Sequence, residues 1–287
     1  MSLIITGASG TLGRLTAEAV LTAHPGADLV LVTRSPDKLA DLAARGAEVR
    51  AGDFDDPATL ADAFAGGKRL LLISTDAVGA RVAGHRAAID AAVAAGVTAI
   101  AYTSVGNPSD SNPAAVAADH RATEDHLRAS GVAWTFLRNS IYTEMLVDGA
   151  RAALANGTYL VNEGDGATSH VARADCAAVA AAVLLATGDA HANKAYDVTG
   201  PAALTATERA AIFAEIGGRP VTATLVDDDA WVAAMVEHAG LPESAARLYA
   251  TFGAAARLGY SGAVSTAVED LVGRAPRSVR DVLAERL

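Results

Sequence analysis

Short apolar segments alternate with longer amphipathic segments along the first half of the chain. The apolar segments have the length of single strands and lie at residues 3–6, 28–33, 47–52, 69–74, 98–104 and 132–138. Strands that are apolar on both faces, and that are separated by helices, are typical of a parallel sheet covered on both sides. The pattern therefore predicts an α/β fold with a doubly wound parallel sheet.

The segments between these strands carry helix signals. Several of them begin with Ser-Pro or Asp-Pro and end with glycine, as many helices do. Beyond the helix that follows Gly13, the predicted helices of this half lie within residues 35–46, 56–67, 78–96 and 114–131. Each would cross over one face of the sheet and lead into the next parallel strand.

The regular alternation ends after Arg138. Helices are predicted within residues 173–188, 205–218 and 227–258, and a further strand at 194–200 can return to the sheet. We expect residues 1–137, completed by about 170–200, to form the sheet core. Residues 138–169 and 201–287 would then form mainly a smaller, mostly helical C-terminal lobe, joined without a flexible linker. This lobe would lie over the carboxyl ends of the strands, where ligands of such sheets bind.

Composition narrows the class of protein. Hydrophobic residues make up 51% of the chain, and no apolar run reaches the roughly 18 residues that span a bilayer. The net charge of −10 disfavours nucleic acid and anionic membranes as partners. The single cysteine, Cys176, fits a reducing cytoplasm, and the scattered histidines have no metal-ligand spacing. We expect a cytoplasmic protein, a monomer or a homodimer, with a small-molecule ligand and no metal.

Three glycines interrupt the transition from the first strand to the first helix. Gly7, Gly10 and Gly13 form the pattern G-x-x-G-x-x-G. Such glycines allow a tight turn, an approach of backbone N–H groups to a pyrophosphate, and close packing of the helix. The N-terminus of the helix favours the phosphate charge. The residues predicted to bind a dinucleotide are Gly7, Ala8, Ser9, Gly10, Thr11, Leu12 and Gly13; the alternative is an ordinary glycine-rich loop.

The residue after the second strand indicates which dinucleotide would bind. Arg34 lies about 20 residues beyond the last glycine, where an acid would bind a ribose 2′-hydroxyl. A guanidinium suits a 2′-phosphate instead, so the sequence favours NADP(H) over NAD(H). The alternative is a surface arginine at the start of a helix.

Two further strand ends belong to the same predicted pocket. Asp53 can accept a hydrogen bond from the adenine amino group and Phe54 can pack on its ring, although Asp53 could instead cap a helix. Ser74, Thr75 and Asp76 end the fourth strand beside the predicted position of the nicotinamide ribose.

The usual proton relay of short-chain dehydrogenases is absent from the sequence. That relay is a Tyr-x-x-x-Lys pair on the helix after the fifth strand, where the lysine lowers the tyrosine pKa. None of the lysines follows a tyrosine by four, and the corresponding helix carries His120 and Glu124 at that spacing. Alcohol dehydrogenase and epimerase functions are therefore disfavoured. His120 could donate a proton, but the favoured interpretation is a solvent-facing histidine.

Several motifs in the expected order resemble those of a known family. They include "ITGASGTLG", "VTRSPDK", "IAYTS", "TEDHLRASGVAWTFLRNSIYTE", "RADCAAVAA" and "VGRAPRSVRDVLAE", which together span nearly the whole chain. The sequence resembles the NmrA-like atypical short-chain dehydrogenases, and within them the type 2 NADPH:quinone reductases and triphenylmethane reductases. The run of residues 123–144 is the most specific part of this resemblance.

The resemblance implies an NADP-binding Rossmann fold whose smaller lobe closes over the nicotinamide. Residues 138–143, which include Arg138, Asn139 and Tyr142, would line the nicotinamide and substrate pocket. Residues 169–174, which include Arg173, would lie near its floor. By position, the glycine turn would hold the pyrophosphate, Arg34 the 2′-phosphate, and residues 74–76 the nicotinamide ribose.

The resemblance also implies an NADPH-dependent oxidoreductase that transfers hydride to a quinone or a similar conjugated electrophile. Alignment alone can supply most of that catalysis, so the missing relay is compatible with activity. Asn139 could form a hydrogen bond with the developing phenolate, and Tyr142 could pack against the substrate ring or donate a proton. The alternatives are that Asn139 fixes a loop and that Tyr142 packs in the lobe. Two rival hypotheses are a non-catalytic NADP-sensing regulator and a pathway-specific ketone reductase.

Overall fold

The computed structural model describes residues 2–287 and divides them into strands and helices. The strands are β1 (Leu3–Ile5), β2 (Leu29–Thr33), β3 (Glu48–Ala51), β4 (Arg69–Leu72), β5 (Ala99–Val105), β6 (Ala133–Asn139), β7 (Thr158–Val161), β8 (Ala167–Thr168), β9 (Lys194–Val198), β10 (Leu204–Thr205) and β11 (Thr222–Leu225). The α-helices are α1 (Thr11–Ala23), α2 (Ala40–Ala44), α3 (Leu60–Phe64), α4 (Val82–Ala94), α5 (Ala115–Ala129), α6 (Val147–Asn156), α7 (Arg173–Leu185), α8 (Ala206–Gly217), α9 (Asp228–Ala239), α10 (Glu243–Arg257), α11 (Ala267–Val272) and α12 (Val279–Ala284).

The main sheet has seven strands in the order β3-β2-β1-β4-β5-β6-β9, and every neighbouring pair is parallel. This arrangement confirms the predicted α/β fold with a doubly wound sheet. The strand predicted at residues 194–200 joins the sheet at its edge beside β6. Because all strands run in the same direction, the turns that follow them meet at one carboxyl edge.

Alternate side chains of the strands enter two separate cores. Ile5 and Leu31 pack with residues of α1 and α7 on one face. Ile4 and Val30 pack with residues of α3 and α4 on the other face. Both faces are covered, so the central strands are buried along their whole length, which explains their unbroken apolar runs.

The elements outside the main sheet are mostly helical, as the sequence predicts. The helices expected within residues 205–218 and 227–258 are present as α8, α9 and α10. The sequence predicts no strand between the helices at residues 205–218 and 227–258, which is wrong, because β11 lies between α8 and α9 and pairs in parallel with β7. A second small sheet joins β8 and β10. These strands have two to four residues each, which is too short for a pattern of apolar and polar residues to mark them in the sequence.

The segment after β6 connects the sheet to these outer elements. Ser140 N donates to Val198 O of β9, and Thr143 N donates to Val171 O just before α7. Late in the chain, Val268 of α11 returns to the core formed by α1 and α7. The boundaries proposed above between core and lobe stay a prediction. Within residues 2–287, no helix combines the length and the apolar character needed to cross a membrane.

Candidate active site at the carboxyl edge of the sheet

The turn between β1 and α1 has the geometry of an anion-binding loop. Gly7 has a φ of +59°, which favours glycine, and a Cβ on Gly13 would lie 2.4 Å from Gly7 O. The first intrahelical hydrogen bond of α1 runs from Arg14 N to Gly10 O at 2.9 Å. The N–H groups of residues 11–13 therefore precede the helical hydrogen-bond ladder and are directed out of the helix end. This end of α1 can receive a phosphate group.

The order of the strands divides the carboxyl edge into two sides. β1 lies between β2 and β4, so the chain order reverses at the glycine turn. Ligands of doubly wound sheets bind across such a reversal. Arg34, Asp53 and Phe54 lie at the ends of β2 and β3 on one side of it. Ser74–Asp76 and the residues after β6 lie on the other side.

Arg34 lies directly after β2, where the sequence predicts a ligand of the 2′-phosphate. It is exposed at the end of β2, and its guanidinium has no hydrogen bond or ion pair with any residue of the described chain. The preceding turn is fixed, because Thr33 Oγ1 lies 2.7 Å from Ser9 Oγ and accepts a hydrogen bond from Ser35 N at 3.1 Å. Arg14, by contrast, is held by the Asp41 carboxylate at 2.6 Å. Arg34 is thus a cation near the glycine turn without a protein partner in the described chain.

Asp53 and Phe54 are half-buried after β3, and both also serve the local structure. Asp53 Oδ1 accepts a hydrogen bond from Asp55 N at 3.1 Å. Asp53 does not cap a helix. Asp56 occupies the cap position of the following turn, and its side chain makes no capping hydrogen bond. Phe54 packs against the α4 side of the core, and its ring centroid lies 6.1 Å from that of His85.

Residues 73–76 leave β4 as an irregular segment with an ordered backbone. Ile73 N donates to Thr6 Oγ1, Ser74 N to Thr103 Oγ1 and Thr75 N to His85 Nε2, at distances of 2.9–3.1 Å. Asp76 follows them and is exposed. Side chains from three separate parts of the chain therefore hold the segment that the sequence predicts beside the nicotinamide ribose.

Arg138 and Asn139 are neighbours in β6 and point to opposite faces of the sheet. Arg138 donates from Nε and Nη2 to the two carboxylate oxygens of Glu124, at 2.9 and 2.7 Å. This pairing raises the pKa of Arg138. Glu124 is buried and also accepts from Ser104 Oγ at 2.7 Å. The Arg138 guanidinium, which the resemblance assigns to the cofactor pocket, is thus held against α5 by an ion pair.

Asn139, Tyr142 and Arg173 form a contiguous group on the other face. Asn139 Nδ2 lies 3.3 Å from the Tyr142 hydroxyl, and Asn139 Oδ1 is buried without a partner among residues 2–287. The Arg173 guanidinium lies 4.9 Å from the centroid of the Tyr142 ring. Burial raises the pKa of Tyr142, so its hydroxyl stays protonated. Tyr142 also packs against the core beside α1 and α7 rather than among the outer helices.

The segment 169–174 runs alongside residues 140–143. Ser140 Oγ and Ser169 Oγ lie 3.3 Å apart, and Tyr142 pairs with Val171 in a parallel bridge. Ser169 N donates to Ser261 O, which ties the segment to the loop after α10. The structure therefore brings the two predicted pocket segments into contact.

The interpretation of His120 as a solvent-facing histidine is wrong. His120 is buried on the face of α5 that packs on the sheet, and its Nδ1 lies 2.8 Å from the Tyr102 hydroxyl. Burial lowers its pKa, so the imidazole is neutral at neutral pH. The surrounding charged residues of α5 hide the fact that positions 116, 120, 123 and 127 share one buried face.

Sequence reasoning missed a set of buried polar residues between α4, α5 and the sheet. Its members are Arg81, His85, Asp119, Thr123 and Glu124. The available signal was positional, since His85 lies on the buried face of an otherwise apolar helix and Glu124 on the buried face of α5. Across the described residues, no group of three or more His, Cys, Asp or Glu side chains could hold a metal ion.

Comparison with known proteins places the chain among nucleotide-binding enzymes. A family model described as NAD(P)H-binding matches residues 7–187. The chain is 40% identical over 246 residues to quinone oxidoreductase 2 of Escherichia coli K12, covering 86% of this chain and 85% of that protein. It is 30% identical over 241 residues to an NmrA-like family domain-containing oxidoreductase of Aspergillus flavus, covering 81% of this chain and 76% of that protein.

A solved structure extends the similarity to three dimensions. The triphenylmethane reductase of Citrobacter sp., complexed with NADP(H), superposes with a TM-score of 0.91 at 33% identity and covers 100% of both chains. Because the family model covers more than half of the chain, and the curated relatives cover most of it, the chain belongs to the NAD(P)H-binding family and to its NmrA-like oxidoreductases.

Proposed function

We propose that the protein is an NADPH-dependent oxidoreductase that transfers hydride to a quinone or a similar conjugated electrophile. Two of the similar proteins are named for reductions of a quinone and of triphenylmethane dyes. Both kinds of acceptor are conjugated electrophiles that take up a hydride equivalent. The similarity to both supports an acceptor of this class for the present chain.

The observation that carries the cofactor assignment is the free Arg34 guanidinium beside the glycine turn. The turn would hold the pyrophosphate with N–H groups of residues 11–13, and Arg34 would hold the 2′-phosphate. A carboxylate at the position of Arg34 would repel that phosphate. The residues present therefore fit NADPH better than NADH.

The residues around Asn139 fit a reaction that needs no strong acid. When bound, NADPH supplies a hydride. Asn139 donates one N–H to the Tyr142 hydroxyl, which leaves the Tyr142 proton free to bond an acceptor oxygen. The raised pKa of Tyr142 makes this hydroxyl a hydrogen-bond donor rather than a proton source. Reduction of a quinone takes up the hydride and one proton, and water can supply that proton to the hydroquinone oxygen.

The test is the loss of NADPH absorbance with benzoquinone or menadione as the acceptor. We expect turnover with both acceptors and a higher kcat/KM with NADPH than with NADH. Binding of NADPH without turnover of any acceptor would support the NADP-sensing regulator instead. Turnover that is confined to ketones would support the pathway-specific ketone reductase.

We further propose that the protein acts in the cytoplasm without a nucleic-acid or membrane partner. The net charge of −10 and the buried free thiol of Cys176 support this proposal. A homodimer is the assembly we expect if the chain associates, and sedimentation at several protein concentrations distinguishes it from a monomer.

A further inference from the structure

The segment after β4 is held almost entirely by side chains. The backbone N–H groups of Ile73, Ser74 and Thr75 each donate to a side chain instead of to a neighbouring strand. Irregular backbone of this kind keeps a single conformation only where its polar groups are all satisfied. The conformation of the segment therefore depends on the side chains that bond it.

The backbone N–H and the carbonyl oxygen of Thr75 each form a hydrogen bond with a residue at the start of α4. Its N–H donates to His85 Nε2 at 3.1 Å, and its carbonyl oxygen accepts from Arg81 Nη1 at 2.9 Å. Arg81 is itself buried and donates from Nε to Asp119 Oδ2 at 3.1 Å. The same carboxylate oxygen accepts from Gly79 N at 2.7 Å. A side chain of α5 thus fixes the arginine that holds the peptide.

The tautomer of His85 follows from its other partner. Thr123 Oγ1 donates to Asp119 O at 2.8 Å, so it must accept from His85 Nδ1 at 3.1 Å. Nδ1 then carries the proton and Nε2 is left as the acceptor for Thr75 N. Burial lowers the pKa of His85 to about 4, which keeps the ring neutral and the acceptor available at neutral pH.

Residues 73–75 lie on the β4 side of the strand reversal, and Arg34 lies on the β2 side. A dinucleotide that places its 2′-phosphate at Arg34 extends its nicotinamide half across the glycine turn toward β4. We propose that His85 and Arg81 are positioning residues that hold the Thr75 peptide as a fixed wall for the nicotinamide-ribose half of NADPH. This proposal rests on the proposed function, because it requires NADPH at the carboxyl edge.

The proposal predicts that loss of the His85 acceptor weakens one half of the cofactor site. We would titrate the full-length protein with NADPH and with adenosine 2′,5′-bisphosphate, which lacks the nicotinamide half. In His85→Leu, we expect NADPH affinity to fall about tenfold, because Thr75 N–H loses its partner and the peptide is no longer held in one conformation. Affinity for adenosine 2′,5′-bisphosphate should change less than about twofold. His85→Gln, whose Oε1 can accept from Thr75 N, should restore NADPH affinity to within about threefold of the wild type.

The matched control is His126, which joins the same two helices at a distance from Thr75. Its Nε2 lies 2.7 Å from Asp90 Oδ1 of α4. His126→Leu should leave both affinities unchanged, whereas a loss equal to that of His85→Leu would show that helix packing is the cause. If His85→Leu does not fold, Thr123→Val removes the group that fixes the tautomer and should selectively weaken NADPH.

The outcomes separate this proposal from the proposed function. Equal losses for NADPH and adenosine 2′,5′-bisphosphate in His85→Leu or Thr123→Val would overturn the positioning role, as would no loss for either. Failure of the wild-type protein to bind adenosine 2′,5′-bisphosphate would instead contradict the assignment of the phosphate site, and with it the positioning role that rests on that assignment.

Discussion

Two ends of the carboxyl edge use arginine in opposite ways. At the end of β2, Arg34 is exposed and has no protein partner within the described residues. At the end of β6, Arg138 is half-buried and forms a bidentate ion pair with the buried carboxylate of Glu124. A cation without a partner at a strand end is available to a ligand, whereas a paired cation fixes the protein around it. The same residue type is therefore available to a ligand in one place and stabilises the protein in the other.

The glycine turn, which lies between these two ends, provides the largest expected effect. We expect Gly10→Val to abolish NADPH binding, a loss of at least about 100-fold, because the side chain would occupy the space of the pyrophosphate. Gly10 has φ −77° and ψ 164°, which valine also adopts, and a Cβ there would lie 3.2 Å from Gly7 O, so a small shift of the turn should let the protein fold. Thermal melts with and without NADPH measure the effect, since a variant that does not bind gains no stability from the cofactor.

The control for this substitution is a glycine that faces open space. A Cβ on Gly26 would meet no atom within 4 Å. Gly26→Val should keep the full stabilisation by NADPH. A Gly10→Val variant that is still stabilised would mean that the phosphates bind elsewhere.

The ion pair between Glu124 and Arg138 at the end of β6 should contribute to the stability of the protein. We expect Glu124→Gln to lower the free energy of unfolding by about 3 kcal/mol, because Arg138 and Arg128 lose the buried carboxylate between them. Urea denaturation measures this loss. Asp125→Asn is the control, since Asp125 pairs with Arg128 at an exposed position and should cost less than about 1 kcal/mol. Similar costs for both variants would contradict the supporting role of Glu124.

Substitution of Arg34 at the end of β2 should change the selectivity for NADPH over NADH. We expect Arg34→Ala to weaken NADPH by roughly 10- to 100-fold and to leave NADH nearly unchanged, because a charge-assisted contact to phosphate contributes about 1.5–3 kcal/mol. Titration of both cofactors against the variant and the wild type measures it. Equal losses for the two cofactors would show that Arg34 does not bind the 2′-phosphate.

The contrast also explains what the sequence could predict. The sheet was predictable because strands covered on both faces are apolar along their whole length, as β1 and β2 are. The positions of the glycine turn and of Arg34 at the strand ends were predictable because their spacing from β1 follows from the fold. Both signals are local, so they can be read within a single stretch of the chain.

The buried polar residues were not predictable in this way. Glu124 bonds Ser104, which is 20 residues away, and His85 bonds Thr123, which is 38 residues away. A charged or polar residue on a helix usually faces solvent, so only the position of its buried face could reveal such a partner. The short pairing of β7 with β11 was hidden for the same reason, because each strand is stabilised by a partner far along the chain.

The smallest expected effect concerns His120, which lies between the two ends of the comparison. Its imidazole faces the Tyr102 hydroxyl at 2.8 Å, and Tyr102 is fully buried, so His120 has no direct path to an acceptor. We expect His120→Asn, whose Oδ1 can replace Nδ1 as the partner of Tyr102, to keep kcat within about threefold. Tyr142→Phe should lower kcat by less than the roughly 10²–10⁴-fold typical of a lost general acid.

Asn139→Ala should lower kcat more than either of these variants, because under the proposed function the Asn139 amide would orient the Tyr142 hydroxyl and would bond charge that develops only in the transition state. Steady-state kinetics with menadione compare the three variants, and thermal melts confirm that each is folded. A collapse of kcat in His120→Asn, with NADPH affinity and melting temperature unchanged, would make His120 the proton donor through Tyr102. The acceptor would then be a ketone or another basic group, because only such a group needs a proton delivered as the hydride arrives.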